Sequence, residues 1–475
     1  AGAVVTTGLK ATDSHPLQFF RTGGTLWPLV PTLLFLAIVF FYPVIQLLWL
    51  SVLDGQGNLS VAHYARLFST SVYVRILVIT FKISLWTTVI AIVAGYPVAY
   101  LLATTTERRR GFLILWVLMP FWTSFLVRTF GWIVLLGREG VINDTLLALG
   151  LIEAPVALIY NFLGTMIGMV HTLMPLAILT MLAVMQNIDR SLVTAAGTMG
   201  ARGGQAFWRI YFPLSLPGVA AAGLLVFSTS LGFFITPQLL GGREEMMIAQ
   251  IIISQLEEQL NWGFAGAVAV MLLAATLAIF YVYDRLLGMS TLTGSAAPQR
   301  QNPGFIGALG RHAGNRIVAV LGGASAMLGA AYDAVFPPRG DRARVYVSRR
   351  VLWGFASAAL VFLVVPSFFV IPVSFTSGKF IEWPPIGFSL QWYEDYFTSE
   401  VWRAATVRSL LVGIATGMLS MLIGFPAALV MTRQPVPART FVMALILSPL
   451  IVPHIIVAIA LYYFFARLGL VGTTF

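Results

Sequence analysis

Apolar residues in this chain do not alternate with polar ones. They gather into runs of about 20 residues, the length that carries an α-helix across a bilayer. The runs are Trp27–Leu50, Ile76–Ala103, Phe112–Leu136, Val156–Met185, Leu216–Ile235 and Phe264–Leu287, then, after a long gap, Val351–Phe375, Thr406–Thr432 and Phe441–Ala466. The pattern predicts an all-α, polytopic membrane protein with six spans followed by three. Trp27–Leu50 is too long for a secretory signal and lacks a small-residue cleavage site, so it reads as an anchor. Pro97, Pro120, Pro175, Pro426 and Pro449 fall inside the runs. Membrane helices accommodate them where neighbours re-satisfy the freed backbone groups.

Composition agrees. The chain is 58% hydrophobic and 10% charged, against about 25% charged in soluble domains. The formal charge of +11 sets an orientation. Glu107-Arg108-Arg109-Arg110 follows span two, Arg190, Arg202 and Arg209 follow span four, and Arg285 closes span six. These loops share one side, which the positive-inside rule makes cytoplasmic. The N-terminus, with Lys10 and Arg21, falls on that side too. Glu139, Asp144, Glu153, Glu244, Glu245, Glu257 and Glu258 fall on the other. Arginines scattered between apolar runs argue against nucleic acid and for membrane lipid as the chain's surroundings. Cysteine is absent, which removes disulfides, Cys-ligated zinc and iron–sulfur clusters.

The expected organisation is an N-terminal cytoplasmic segment 1–26, a six-span domain 27–287, a cytoplasmic linker 288–350 rich in Gly, Ala, Pro and Arg, and a three-span domain 351–475. Ile317–Ala331 in the linker is apolar but short and interrupted by Gly322, Gly323 and Gly329. It reads as non-spanning, because a crossing there would put Arg433 and Arg439 outside.

The two domains repeat. Gly95-Tyr96-Pro97-Val98-Ala99 pairs with Gly424-Phe425-Pro426-Ala427-Ala428 at an offset of 329 residues. The same offset pairs Tyr64 with Tyr393, Phe68 with Phe397, Val72 with Val401, Arg110 with Arg439, Phe112 with Phe441, Pro120 with Pro449 and Gly140 with Gly469. An even number of crossings separates the copies, so they point the same way: parallel repeats about an axis along the membrane normal. Phe475 pairs with Leu146, whereas the first copy runs to residue 287. The second copy is therefore expected to be incomplete, a whole version having two six-span halves.

The loop between spans four and five, 187–215, is unusual. Thr194-Ala195-Ala196-Gly197-Thr198-Met199-Gly200 places small residues at helical spacing, and Asp189 or Ser191 can cap a helix start. Gly203-Gly204 breaks the helix, Gln205–Phe212 can restart it, and Pro213 and Pro217 mark entry into span five. The expectation is a short helix on the cytoplasmic face with a low surface that a second protein can grip.

Here the chain resembles the permeases of binding-protein-dependent ABC importers. Their cytoplasmic loop has the pattern E-A-A, three residues, G, nine residues, I, one residue, L-P. This sequence matches at Ala195, Ala196, Gly200, Ile210 and Pro213. It departs at Thr194, where Glu is usual, and at Phe212, where Leu is usual. Phe234-Ile235-Thr236-Pro237-Gln238-Leu239-Leu240-Gly241-Gly242, Asn261-Trp262-Gly263-Phe264 and Gly387-Phe388-Ser389-Leu390-Gln391-Trp392-Tyr393 look like stretches of spermidine/putrescine-type permeases. Fused permease pairs also occur in ferric-iron importers of the same superfamily.

The resemblance implies a type I ABC-importer permease fold in two parallel repeats, and no enzymatic activity of the chain's own. Thr194, Ala195, Ala196, Gly200, Ile210 and Pro213 become the docking loop for two copies of a cytoplasmic ABC ATPase. A periplasmic solute-binding protein delivers a small solute, polyamine by analogy, with ferric iron as the alternative. No cofactor is implied in this chain, and ATP is hydrolysed by the partner. Gly378-Lys379-Phe380 lacks the upstream glycine and following Ser/Thr of a phosphate-binding loop.

Ionisable residues inside spans are functional candidates. Arg128 reads equally as a lining of the translocation path and as a partner of a backbone carbonyl. Lys82 snorkels, His171 and His454 read as structural, and no metal or catalytic constellation is present. Polyamine transport would be helped by acidic groups near the midplane, and the spans show almost none. An ion-gradient-driven secondary transporter is the rival from another class, and it too needs buried carboxylates. A non-transporting scaffold or sensor would explain the loop but not the duplication.

Overall fold

The computed structural model describes residues 26–199, 206–287, 341–379, 383–385 and 387–472, with isolated positions between 316 and 335. The segment before residue 26, Gly200 and most of the linker, including most of Ile317–Ala331, lie outside the described residues. Among the described residues the regular elements are helices, joined by two isolated antiparallel bridges, Leu53 with Leu59 and Thr376 with Phe388. Among the described residues seven helices are long and apolar enough to cross a membrane: Trp27–Leu50, Ser71–Thr104, Phe162–Met185, Phe212–Leu231, Trp262–Val282, Arg349–Ser374 and Glu400–Arg433.

Four expected spans are corrected. Spans three and nine are not continuous. Glu107–Trp122 and Phe125–Ala148 meet at a bend of 95°, and Arg439–Ile451 and His454–Arg467 at 92°. Pro120 tightens the first into a 3₁₀ turn over Met119–Trp122, and Ser124 then caps a fresh helix by accepting from the Leu126 amide at 3.3 Å. In the second, Pro453 stands at the capping position. Span four starts at Phe162, not Val156. Asn143 holds Val156 in both directions, accepting from its amide at 2.9 Å and donating to its carbonyl at 3.0 Å. The helix waits for Asn161, whose side chain accepts from Gly164 at 2.9 Å. Span five is Phe212–Leu231 and ends at Gly232.

The repeat reaches the element boundaries. Ala62–Ser69 matches Gln391–Thr398, and Ser71–Thr104 matches Glu400–Arg433, end to end at the 329 offset. Both breaks fall at the same repeat position: Trp122 matches Ile451, and Phe125 matches His454. Ser51 Oγ bonds Tyr64 Oη at 2.7 Å, and Ser374 Oγ bonds Tyr393 Oη at 2.6 Å. The bridged residues stand six apart in the first copy and twelve apart in the second. That loop is therefore six residues longer in the second copy. Upstream of it the offset falls to 323, which aligns Pro43 with Pro366 and so extends the repeat into the first span.

By packing, the chain divides into two units. One is Ala1–Tyr42 with Glu400–Leu447, the other Pro43–Ser399 with Ser448–Phe475. In the larger, Ser71–Thr104, Phe162–Met185 and Phe212–Leu231 form the core, and Asp341–Ser374 lies against Ser71–Thr104 and Phe125–Leu136. The approach is close: a Cβ on Gly131 would stand 2.5 Å from the Pro366 carbonyl oxygen. In the smaller, Leu29 is buried with Ala427, Val430, Met431 and Val436, and Thr32 Oγ1 donates to the Ile423 carbonyl at 2.8 Å. Each copy's first span thus packs on helices of the other copy, a division that cuts across the sequence order 27–287 and 351–475.

Candidate functional site: the loop between spans four and five

Span four ends at Met185, and the chain turns through Ile188 into a helix over Arg190–Thr198. Asp189 starts it: its carboxylate accepts from the Ser191 amide at 2.8 Å. That bond satisfies one of the orphan donors of the first turn and holds the carboxyl below the usual carboxylate range. Thr194 and Thr198 donate back to the Arg190 and Ala195 carbonyls at 3.2 and 2.7 Å. Their hydroxyls are satisfied within the helix and add little bulk outside it. Thr194, Ala195, Gly197 and Thr198 are exposed, Ala196 is buried, and a Cβ on Gly197 would meet nothing within 4 Å. Met199 ends the helix at 88% exposure. The result is a short helix with one smooth face and a flexible thioether at its tip, a surface suited to close approach.

The chain resumes at Ala206 and makes a π-turn over Phe207–Tyr211 before entering Phe212–Leu231. Ile210 in this turn and Pro213 just after it are half-buried, and the turn packs beside the loop helix. The structure thus packs the helix that carries Thr194, Ala195 and Ala196 beside the turn that carries Ile210, with Pro213 at the start of the helix that follows. Gly200 lies outside the described residues.

Sequence reasoning missed what anchors this loop. Arg190 Nη2 donates to the Ala103 carbonyl at the C-terminal end of Ser71–Thr104, where a cation also complements the helix dipole. Beside it, Tyr100 stands edge-on to Phe207 at 5.2 Å and to Tyr211 at 4.9 Å. Tyr96 packs on Phe212 at 5.7 Å and bonds Ser215 Oγ at 2.8 Å. Aromatic pairs of this kind contribute about 0.5–1.5 kcal/mol beyond area burial. Two i, i+4 aromatic pairs, Tyr96/Tyr100 and Phe207/Tyr211, were the signal in the sequence. The loop is therefore fastened to span two as well as to spans four and five.

Arg128 stands at the opposite end of span five. It is 2% exposed, its Nε reaches the Ser124 carbonyl at 3.5 Å, and its guanidinium lies 4.6 Å from the Phe125 ring centre. Its neighbour Thr129 meets Thr236 at 3.5 Å between hydroxyls. Of the two readings left open by the sequence, the carbonyl contact is present. No carboxylate pairs with Arg128 among the described residues. His171 Nε2 bonds the Leu363 carbonyl at 3.0 Å, and Lys82 Nζ sits 5.1 Å from the Phe162 ring centre.

A family model described as binding-protein-dependent transport system inner membrane component matches residues 18–289. The spermidine/putrescine transport system permease protein PotB of Haemophilus influenzae is 31% identical over 261 residues, covering 53% of this chain and 91% of that protein. The putative ferric transport system permease protein FbpB 1 of the same organism is 28% identical over 251 residues, covering 52% of this chain and 39% of that protein. Among solved structures, a bacterial alginate ABC transporter in complex with an alginate pentasaccharide-bound periplasmic protein aligns over 54% of this chain and 91% of its own at 18% identity and a TM-score of 0.48.

Proposed function

The chain belongs to the family of binding-protein-dependent transport system inner membrane components, and from that premise we propose that the loop over 187–215 is the handle by which a cytoplasmic ATPase drives solute import. The chain is a type I ABC-importer permease, a multi-pass protein of the inner membrane and not an enzyme. Its partners are an ABC ATPase and a periplasmic solute-binding protein.

The observation that carries the docking assignment is the loop helix itself. It offers Thr194, Ala195 and Thr198 to solvent, while its other side is tied by Arg190 to span two and by packing to Phe207–Tyr211. A partner that moves the exposed face must move three spans. Two ATPase copies are the reading that two like-oriented halves favour, with the N-terminus cytoplasmic and residues 27–287 and 351–475 as the two permease portions. This chain binds no nucleotide in this reading; ATP is hydrolysed by the partner. Thr194 replaces the usual carboxylate, so docking relies on the fit of small residues more than on an ion pair.

The solute is a polyamine by analogy with PotB. Ferric iron is the second reading, which the similarity to FbpB 1 keeps in view. An ion-coupled mechanism is disfavoured by burial: among the described residues Glu245 is the one buried carboxylate. It lies outside the spans, accepting from the Gly242 amide at 2.9 Å. The test of docking is co-purification: Gly200→Arg is expected to lose the ATPase while the permease remains folded in the membrane, and retained ATPase defeats the docking assignment. The test of cargo is uptake of labelled spermidine, with ferric ion as competitor, by vesicles holding permease, ATPase and binding protein.

A further inference from the structure

Two neighbouring helices begin with arginines that nothing on either helix neutralises. Glu107–Leu118 opens with Glu107-Arg108-Arg109-Arg110, and the span Arg349–Ser374 opens with Arg349-Arg350. Glu107–Leu118 packs on Asp341–Ser374. Leu113, Val117 and Ala356 are buried in one core, with Leu352 and Trp353 against it. Farther along, Thr123 Oγ1 meets Ser367 Oγ at 3.3 Å, which sets the level of one helix on the other. Counted back from that contact at 1.5 Å per residue, Arg108 lies about 22 Å away and Arg350 about 26 Å. The difference is less than one helical turn, so the two arginine pairs share a level.

Arg108, Arg109, Arg349 and Arg350 are exposed. Among the described residues the one ion pair is Arg110 with Glu107, at 3.6 Å, so no carboxylate pairs with the other four. Like charges gathered on adjacent helices repel unless an anion sits among them. Beside them the surface turns apolar. Phe112 and Leu115 follow Arg108 at helical spacing and are 59% and 51% exposed. Val351 and Phe355, after Arg349 and Arg350, are 68% and 47% exposed. Positive charge next to exposed apolar surface complements a phosphate next to acyl chains.

Packing alone does not require these arginines. The repeat contains the same junction a second time, where Leu26, Leu29 and Leu33 group with Val442, Met443 and Ile446. There the offsets of 323 and 329 put Leu26, Trp27, Pro437 and Ala438 in place of the four arginines.

We propose that Arg108, Arg109, Arg349 and Arg350 form a binding site for the headgroup of an anionic phospholipid, whose acyl chains lie on the exposed apolar surface beside them. The lipid holds together two helix starts that otherwise repel. The site rests on the chain spanning a membrane, and on neither the docking loop nor the cargo.

The test uses the full chain, which has no cysteine, in phosphatidylcholine vesicles. Leu115→Cys carries a bimane fluorophore, which lipids with brominated acyl chains quench on contact. Brominated lipid enters both leaflets, so the readout does not depend on the chain's orientation. One arginine from each helix on the headgroup, at about 1 kcal/mol each, predicts a preference of about 30-fold for brominated phosphatidylglycerol over brominated phosphatidylcholine. Arg108→Gln with Arg109→Gln, and separately Arg349→Gln with Arg350→Gln, should each reduce it about fivefold. The two variants act from different helices, so misfolding of one leaves the other to decide. Bimane on Ala444→Cys, the matching position of the other copy, should show a smaller preference. Equal preference at the two positions overturns the proposal, and so does a preference that both arginine variants leave unchanged. Displacement by inorganic phosphate at constant ionic strength would make this a free-anion site. Loss of the preference on adding ATPase would make the arginines part of the docking surface. Either result overturns the lipid assignment.

Discussion

The helices Ser71–Thr104 and Glu400–Arg433 have the same length, the same proline position and different surroundings. In the first copy Gly95 is enclosed: a Cβ there would lie 3.0 Å from Ile178 Cγ1, 3.4 Å from Met181 Cε and 3.6 Å from Met174 Cγ. Its counterpart Gly424 meets nothing within 4 Å, and neither do Gly413 and Gly417. Ser84 and Thr88 are buried at the positions Gly413 and Gly417 occupy in the repeat. Farther along, Val98, Leu101 and Leu102 are buried in one copy, and Ala427, Val430 and Met431 in the other, there grouped with Leu29. Helix length and termini are local properties, set by the apolar run and its ends. Burial is set by what the rest of the chain brings to the face.

That comparison can be broken by substitution. The largest effect is expected from Gly95→Leu, where overpacking against Ile178, Met181 and Met174 should cost about 1–3 kcal/mol. Gly424→Leu should stay within about 0.5 kcal/mol. Thermal unfolding of the two variants in detergent measures the difference, and equal losses would mean that Gly424 is enclosed as well. Next is Arg190→Ala, which removes a charged hydrogen bond to the Ala103 carbonyl of span two. A loss of about 1.5–3 kcal/mol in local stability is expected, read as faster amide exchange over residues 190–198. Smaller and equal effects are expected from Ser51→Ala and Ser374→Ala. The two hydroxyls make matching bonds to Tyr64 and Tyr393, each worth about 1 kcal/mol; an unequal pair would show that the repeat fails at this joint.

The smallest effect is electrostatic and confined to the loop. The Ser191 amide lowers the folded-state carboxyl pKa of Asp189. The capping contribution is therefore fully present above the unfolded value of about 3.9 and is lost as pH falls through the lower folded value. Exchange protection at Leu192 and Val193 should be flat from neutral pH down to the unfolded value and decline below it. Asp189→Asn should remove this pH dependence while keeping the cap.

Much of this architecture was legible because membrane helices announce themselves by length and hydropathy. The repeat was legible because Pro, Tyr and Arg are rare enough in such a chain for a fixed offset to stand out. The breaks at 122/125 and 451/454 were not read, although Pro120 and Pro449 marked them. A proline inside an apolar run looks the same whether the helix bends or stops, and Ser124 and Pro453 decide the outcome. The six-residue insertion hid the relation of the first spans, since an ungapped offset cannot cross it. At the loop, the small residues were visible as a pattern, whereas Arg190 was read as a topogenic charge. Its use as a tether depends on the Ala103 carbonyl, which no spacing in the sequence brings near.

The most direct test of the handle is labelling. The chain has no cysteine, so Ala195→Cys gives a single thiol on the exposed face of the loop helix. A membrane-impermeant maleimide should label it in inside-out vesicles and not in right-side-out ones, and bound ATPase should protect it. Labelling from the outer side, or labelling that ATPase leaves unchanged, would contradict the account.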